Sequence, residues 1–244
     1  MENIVKIYKK RGETPLEALE LFRVEHPVLN NTPMTYAGRL DPLAEGELVI
    51  LIGEECKNKE KYTDLDKEYE VEILFGFETD TGDILGIVTK SVFDQHQVLV
   101  KNELESFVGK HSWKYPAYSS KTVNGKPLFQ YALDGEIDSI EIPKKEIEIY
   151  SIKMLEKRTI TCEDLLREII ENIGLVKGDF RQTEIINKWR SVLKGEASEF
   201  FAVQKILVHC SSGTYMRTLA EKIGKVIGVP ALAYHIVRTK IFEN

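Results

Sequence analysis

Apolar positions along the chain change period several times, and each change marks an element. NIVKIY (3–8) reads as a short strand followed by a Lys-Lys-Arg-Gly turn. TPLEALELFRVEH then carries helix signals in order: Thr14 to cap, Pro15 for the first helical position, and Leu16, Leu19 and Phe22 at helical spacing. The loop LNNTPMTYAGRLDPLAEG, dense in Asn, Pro and Gly, runs straight into the apolar strand ELVILIG. In EYEVEILFGF (68–77), Tyr69, Val71, Ile73 and Phe75 alternate with Glu68, Glu70 and Glu72, the period of a half-buried strand. TDTGD (79–83) is expected to turn that strand back into a partner, ILGIV, as a β-hairpin.

Farther along, EIEIYSIKML (146–155) reads as another strand, and the period then switches. CEDLLREIIENIG and TEIINKWRSVLKG both show helical spacing of apolar residues, so 156–200 is read as a helical hairpin inserted between two sheet strands. FFAVQKILVHC (200–210) returns to a strand, ends in SSGTY and enters a helix. Met216, Leu219, Ala220, Ile223, Val226 and Ile227 are expected on one face of that helix, with Gly228 to end it. No repeat, heptad array or low-complexity tract interrupts this order. The pattern predicts a single α+β domain over 1–244, with a mixed, mostly antiparallel sheet flanked by helices.

Composition narrows the function. The longest apolar runs are far shorter than the ~20 residues of a bilayer span, and MENIVKIYKK lacks the apolar core of a signal peptide, so the protein is expected in the cytoplasm and off the membrane. Cys56, Cys162 and Cys210 stand far apart without C-x-x-C spacing and are read as reduced and structural. His26, His96, His111, His209 and His235 show no metal-ligand spacing, so no metal is expected. Phosphate-binding, dinucleotide-binding and serine-hydrolase motifs are missing from the sequence. A net charge of -6 speaks against nucleic acid, yet the acids crowd into 54–72, 136–148 and 163–171 while Lys9, Lys10, Arg11, Lys121, Lys126, Arg217, Arg238 and Lys240 lie elsewhere. A basic face on an acidic protein is compatible with that distribution.

Three places could carry chemistry. In YAGRLDPLAEG (36–46), Pro42 restricts Asp41 to extended geometry in a loop bounded by Gly and Pro, which suits a catalytic acid or nucleophile. Asp before Pro also marks a plain turn, and spacing alone favours that reading. HCSSGTYMRTL (209–219) puts Ser and Gly at a helix start with Arg217 in the first turn, placed to pair with a carboxylate or phosphate, or simply to lie on the surface. Tyr69 is by position a core or rim residue, and acquires a functional reading only if an aromatic surface must stack on a base.

At these residues the sequence resembles the TruB family of tRNA pseudouridine synthases, with its motifs in the family's order. KIYKKRGETPLEAL resembles the opening segment, GRLDPLAEGELVILIGEECK the catalytic loop and following strand, and KEYEVEILFGFETDTGDILGIV the next motif. PAYSSKTVNGKPLFQYALDG (116–135) matches at Lys121, Asn124 and Gly125, and CSSGTYMRTLAEKIG resembles the late motif.

The resemblance implies a pseudouridine synthase catalytic fold without a C-terminal PUA domain, and isomerisation of a uridine in the T-loop of tRNA by base flipping, glycosidic cleavage and rejoining through C5. It puts catalysis on Asp41, paired with Arg217, and gives Tyr69 the stacking surface and a part in moving the C5 proton. Tyr215 and Ile236 line the pocket, and Tyr36 stands where the family usually has a histidine that helps to open the T-loop. No cofactor is implied, and the partner is the T-arm of tRNA, bound by a monomer. The cluster Lys9–Arg11 with Lys121, Lys126 and Arg238 is expected on phosphates, and the 156–200 insertion is expected to add grip on RNA. Alternatives are a synthase acting on another RNA and a non-catalytic tRNA-binding or tRNA-folding protein.

Overall fold

The computed structural model describes residues 3–93, 101–195 and 200–243; His96 and residues 196–199 of the expected insertion lie outside them. The chain opens with β1 (Ile4–Lys9), and α1 (Pro15–Glu25) follows from a capping box: Thr14 Oγ1 accepts from Glu17 N at 3.2 Å, while Glu17 Oε2 accepts from Thr14 N at 2.7 Å. The buried face of α1 is Ala18, Leu19 and Phe22, and Leu16, expected among them, points to solvent. Next come β2 (Met34–Ala37), β3 (Glu45–Ile52), a short α2 (Lys59–Thr63) and β4 (Lys67–Phe75).

After β4 the expected hairpin does not form. β4 pairs with strands far along the chain, and among the described residues the local pairing is a small ribbon of β5 (Phe77–Thr79) and β6 (Val88–Ser91). The reason is in the TDTGD side chains, which take over the backbone bonds that a ladder would make. Thr79 Oγ1 donates to Asp83 O at 2.6 Å, Leu85 N donates to Asp83 Oδ1 at 3.0 Å, and Ile87 N donates to Asp80 Oδ1 at 2.8 Å. The segment folds into a loop and leaves both edges of β4 free for distant partners.

The rest of the chain comprises α3 (Lys101–Glu105), β7 (Gly109–Lys114), the two-residue strands β8 (Thr122–Val123) and β9 (Lys126–Pro127), α4 (Leu128–Leu133) and the long β10 (Lys144–Thr161). Then follow α5 (Cys162–Leu175), α6 (Gln182–Leu193), β11 (Phe200–Cys210), α7 (Met216–Ile227) and β12 (Ala231–Ile241). The main sheet has eight strands in the order β1-β3-β12-β4-β11-β10-β7, with β2 on β3. It is antiparallel except where β12 meets β3, and there Gly46 is required: with φ of 118°, it lets the Arg238 backbone come within 2.2 Å of where a Cβ would stand. The α+β class with a mostly antiparallel sheet is borne out.

The period of two sorts the core into two faces. Val71 and Ile73 of β4 and Ile206 and Val208 of β11 join Met216, Leu219, Ala220 and Ile223 of α7 on one side. Leu74, Phe201 and Val203 meet Leu165, Ile169, Ile185 and a wholly buried Trp189 from the α5–α6 hairpin on the other. Two expectations are corrected here. The helical hairpin covers 162–193, not 156–200, because residues 156–161 continue β10 in register with β11; it packs on a face of the sheet. On α7, Val226 is exposed, since Gly224 takes the packed position against the Val229 carbonyl.

Candidate active site

Asp41 lies between β2 and β3, where its carbonyl accepts from Ala44 N at 3.0 Å to close a turn. Two basic side chains hold that loop from below. Lys9, 0% exposed, donates from Nζ to the carbonyls of Lys10 at 3.1 Å, Pro42 at 3.2 Å and Ala44 at 2.5 Å, and Gly12 N donates to Pro42 O at 2.9 Å. Arg238, 1% exposed, donates to the carbonyls of Gly38 at 3.0 Å, Arg39 at 3.4 Å and Glu47 at 2.7 Å. Burial pulls the Lys9 ammonium down to about 8, with Glu13, Asp41 and Glu45 acting against that shift. These two residues were expected on phosphates; buried and fully engaged with backbone, they cannot reach them. Lys126 is held by Asp134 and Glu136, and Arg11 by Asn172 and Glu45, which leaves Lys10 and Lys121 as the exposed members of the expected set.

The start of α7 delivers Arg217 to Asp41. Its Nε donates to Asp41 Oδ2 at 2.8 Å and its Nη2 to Asp41 Oδ1 at 3.2 Å, a two-point grip that only a planar guanidinium provides. Two further N–H groups donate to the Thr81 carbonyl at 2.6 Å and the Tyr118 carbonyl at 3.0 Å. Asp83 Oδ2 lies 3.8 Å from Arg217 Nε. Burial works against the charge on Arg217, but Asp41 and Asp83 together raise its pKa above the ordinary guanidinium value. Burial pushes the Asp83 carboxyl up to about 6 despite the pull of Arg217. Sequence reasoning missed Asp83, treating TDTGD as a turn; two acids flanking a Gly just after an alternating strand were the available signal.

The apolar walls come from the sheet. Tyr69 on β4 is buried with Leu40, Ala44 and Ile236, and burial raises its pKa, so its phenol is protonated at neutral pH. Tyr215, half-buried, is pushed up to about 12 by burial and then by Asp41. A small cleft opens beside Asp41, with Leu43, Asp83, Ile84, His235 and Ile236 among its walls. Burial, together with Arg11, Lys205 and Arg158, pushes the His235 imidazole down to about 3; neutral, it donates from Nε2 to Glu45 Oε1 at 2.6 Å. The structure thus gathers Asp41, Arg217, Tyr69, Tyr215 and Ile236 in one place. Tyr36 lies on β2, packed against the Leu48 and Ile50 cluster with the Lys59 ammonium 5.0 Å from its ring centre. Among the described residues, no group of His, Cys, Asp and Glu is placed to hold a metal ion, and no helix is long and apolar enough to cross a membrane.

Residues 27–167 match the TruB family pseudouridylate synthase N-terminal domain. This chain belongs to the TruB family. Its relatives include tRNA pseudouridine synthase B of Ligilactobacillus salivarius, 30% identical over 98% of this chain and 67% of that protein. The protein of the same name from Bacillus subtilis is 33% identical over 98% of this chain and 65% of its own length. The chain therefore spans about two thirds of the length of the relatives it matches. A solved Cbf5-Nop10-Gar1 complex shares the fold, with a TM-score of 0.57 at 16% identity, over 98% of this chain and 48% of the solved one. Within the TruB family frame, the loop carrying Asp41, the Tyr69 strand and the TDTGD loop all fall inside the matched residues, whereas Arg217, Tyr215 and Ile236 follow them in the chain.

Proposed function

We propose that this TruB family chain isomerises uridine to pseudouridine in the T-loop of tRNA, with Asp41 as the catalytic residue. The observation that carries the reading is the Asp41 carboxylate, 35% exposed in the wall of a small cleft while a buried arginine grips both of its oxygens. A protein that only bound RNA would gain nothing from a carboxylate facing a polyanion, because repulsion would weaken the complex.

The reaction breaks the N1–C1′ bond, turns the uracil and rejoins it through C5. Asp41 is the group for attack at C1′, addition at C6 or removal of a sugar proton, and each route needs the carboxylate fixed in direction, which Arg217 provides. The target base has to leave its stack, at a cost of a few kcal/mol that an aromatic face offsets. Tyr69 supplies that face. Rejoining at C5 releases the C5 proton and N1 takes one up, so Tyr69, whose phenol burial keeps protonated, is not a ready base for that proton. Ile236 and Tyr215 close the remaining sides, and Lys10 and Lys121 are the exposed cations for phosphates.

The experiment is tritium release from C5-labelled uridine in a T-arm stem-loop and in full-length tRNA. Stoichiometric release is expected. Tight tRNA binding without release, from either RNA, would favour a binding or folding role, and release only from other RNAs would move the target.

A further inference from the structure

The α5–α6 hairpin reaches the catalytic pair from both flanks. At its tip, Arg181 Nη1 donates to Asp80 Oδ2 at 2.7 Å while its guanidinium lies 4.8 Å from the Tyr118 ring centre, and Tyr118 OH donates to the same Asp80 oxygen at 3.0 Å. Asp80 precedes Thr81, and the carbonyls of Thr81 and Tyr118 are the two backbone acceptors that orient Arg217. On the other flank, Asn172 of α5 accepts from Arg11 Nη1 at 2.8 Å, beside the Gly12 N–H that holds the Pro42 carbonyl next to Asp41. Leu175 packs so tightly on that turn that a Cβ on Gly12 would meet it at 2.5 Å.

We infer that the hairpin is an internal brace for the Asp41–Arg217 pair, and that Arg181 is a positioning residue that locks the two carbonyls holding Arg217. The inference rests on the pseudouridine synthase reading of the site. Arg181 itself is not free to grip RNA, because its guanidinium is committed to Asp80 and Tyr118 and its side chain is only 22% exposed. The tip is built to present it. Arg181 has φ of 62° and ψ of 25°, a left-handed conformation that a residue with a Cβ keeps only where its surroundings hold it. Gln182 supplies that hold, accepting from Phe180 N at 2.9 Å and donating to the carbonyls of Val176 at 3.1 Å and Gly178 at 2.8 Å. Asp179 Oδ1 accepts from Arg181 N at 3.2 Å.

Without Arg181, the direct Tyr118–Asp80 hydrogen bond loses the ion pair and the ring contact that reinforce it, and the acceptors of Arg217 can drift apart by a fraction of an ångström. The substrate-binding walls stay in place. The signature is therefore slower chemistry at unchanged affinity. Single-turnover tritium release by Arg181→Ala should fall about 10- to 100-fold, while the Kd for tRNA stays within about twofold of wild type. Arg181→Lys, which keeps the charge but not the planar stack on Tyr118, should recover part of the lost rate.

A rate for Arg181→Ala equal to wild type would overturn the inference, and so would weakened tRNA binding with an unchanged rate, which would make Arg181 an RNA contact. If Arg181→Ala does not fold, Asp80→Asn breaks the same ion pair from the other side and is read by the same two numbers. Wild type is assayed alongside on the same tRNA. No turnover by wild type would refute the reading as a tRNA pseudouridine synthase, whereas active wild type with a fast Arg181→Ala would refute the brace alone.

Discussion

Replacing Arg217 with lysine tests how the site depends on geometry at constant charge. The guanidinium makes four donations in three directions: two to Asp41 and one each to the carbonyls of Thr81 and Tyr118. A lysine ammonium is a single point on a shorter reach and cannot span acceptors spread around a planar fork. Losing two of the four removes charge-assisted bonds of roughly 1.5–3 kcal/mol each. If about 3 kcal/mol of that appears as misorientation of Asp41 in the transition state, kcat falls roughly 150-fold. Affinity for tRNA should not change, because Arg217 is 3% exposed and presents nothing to RNA. The assay is single-turnover tritium release together with equilibrium tRNA binding. A rate for Arg217→Lys within a few-fold of wild type would refute the reasoning, since the charge alone would then suffice.

Three further perturbations follow from the same contacts. Lys9→Met leaves the carbonyls of Pro42 and Ala44 without their buried donor, so urea unfolding should show a loss of roughly 2–3 kcal/mol. The salt dependence of tRNA binding should be unaffected in that variant; a shallower salt slope would return Lys9 to the phosphates. The Asp83 carboxyl takes its proton near pH 6 in the folded chain and near 3.8 when unfolded, so the folded state binds more protons between those values. Stability from this group therefore declines as pH rises through that window, by at most about 1.4 kcal/mol per pH unit. Urea midpoints of wild type should fall relative to Asp83→Asn across that range, and parallel curves would contradict the shift. Trp189→Ala opens the packing between the hairpin and the sheet and should destabilise by roughly 3–5 kcal/mol in chemical denaturation, whereas a hairpin merely resting on the surface would cost almost nothing.

Legibility in the sequence followed how local the physics was. β11 and α7 emerged where apolar period and end signals predicted them, because eleven or twelve residues of one period leave little ambiguity. The start of the helical hairpin was misplaced by six residues: KRTIT at the end of β10 is too short to show its period, and only pairing with β11 reveals it. The hairpin at 68–88 was misread for another reason. A Gly-containing acidic stretch signals a turn, but whether its side chains cap a ladder or replace one depends on contacts that the pattern does not encode.

At the site the contrast is sharper. Asp41 and Arg217 were singled out from motif order, and the fold brings them together across 176 positions of sequence. Lys9 and Arg238 were read as surface cations because charge usually faces water, and nothing in a linear sequence says which lysine will be buried under a loop of carbonyls. Asp80, Tyr118 and Arg181 come from three separate segments, and their junction exists only in three dimensions.

The most direct test of the central claim is tritium release from C5-labelled uridine in a T-arm stem-loop, comparing wild type with Asp41→Asn at matched RNA occupancy. The account predicts release by wild type, none by Asp41→Asn, and tRNA binding by Asp41→Asn at least as tight, since a carboxylate facing the RNA has been neutralised. Release that persists in Asp41→Asn, or wild type that binds full-length tRNA without releasing tritium, would contradict it.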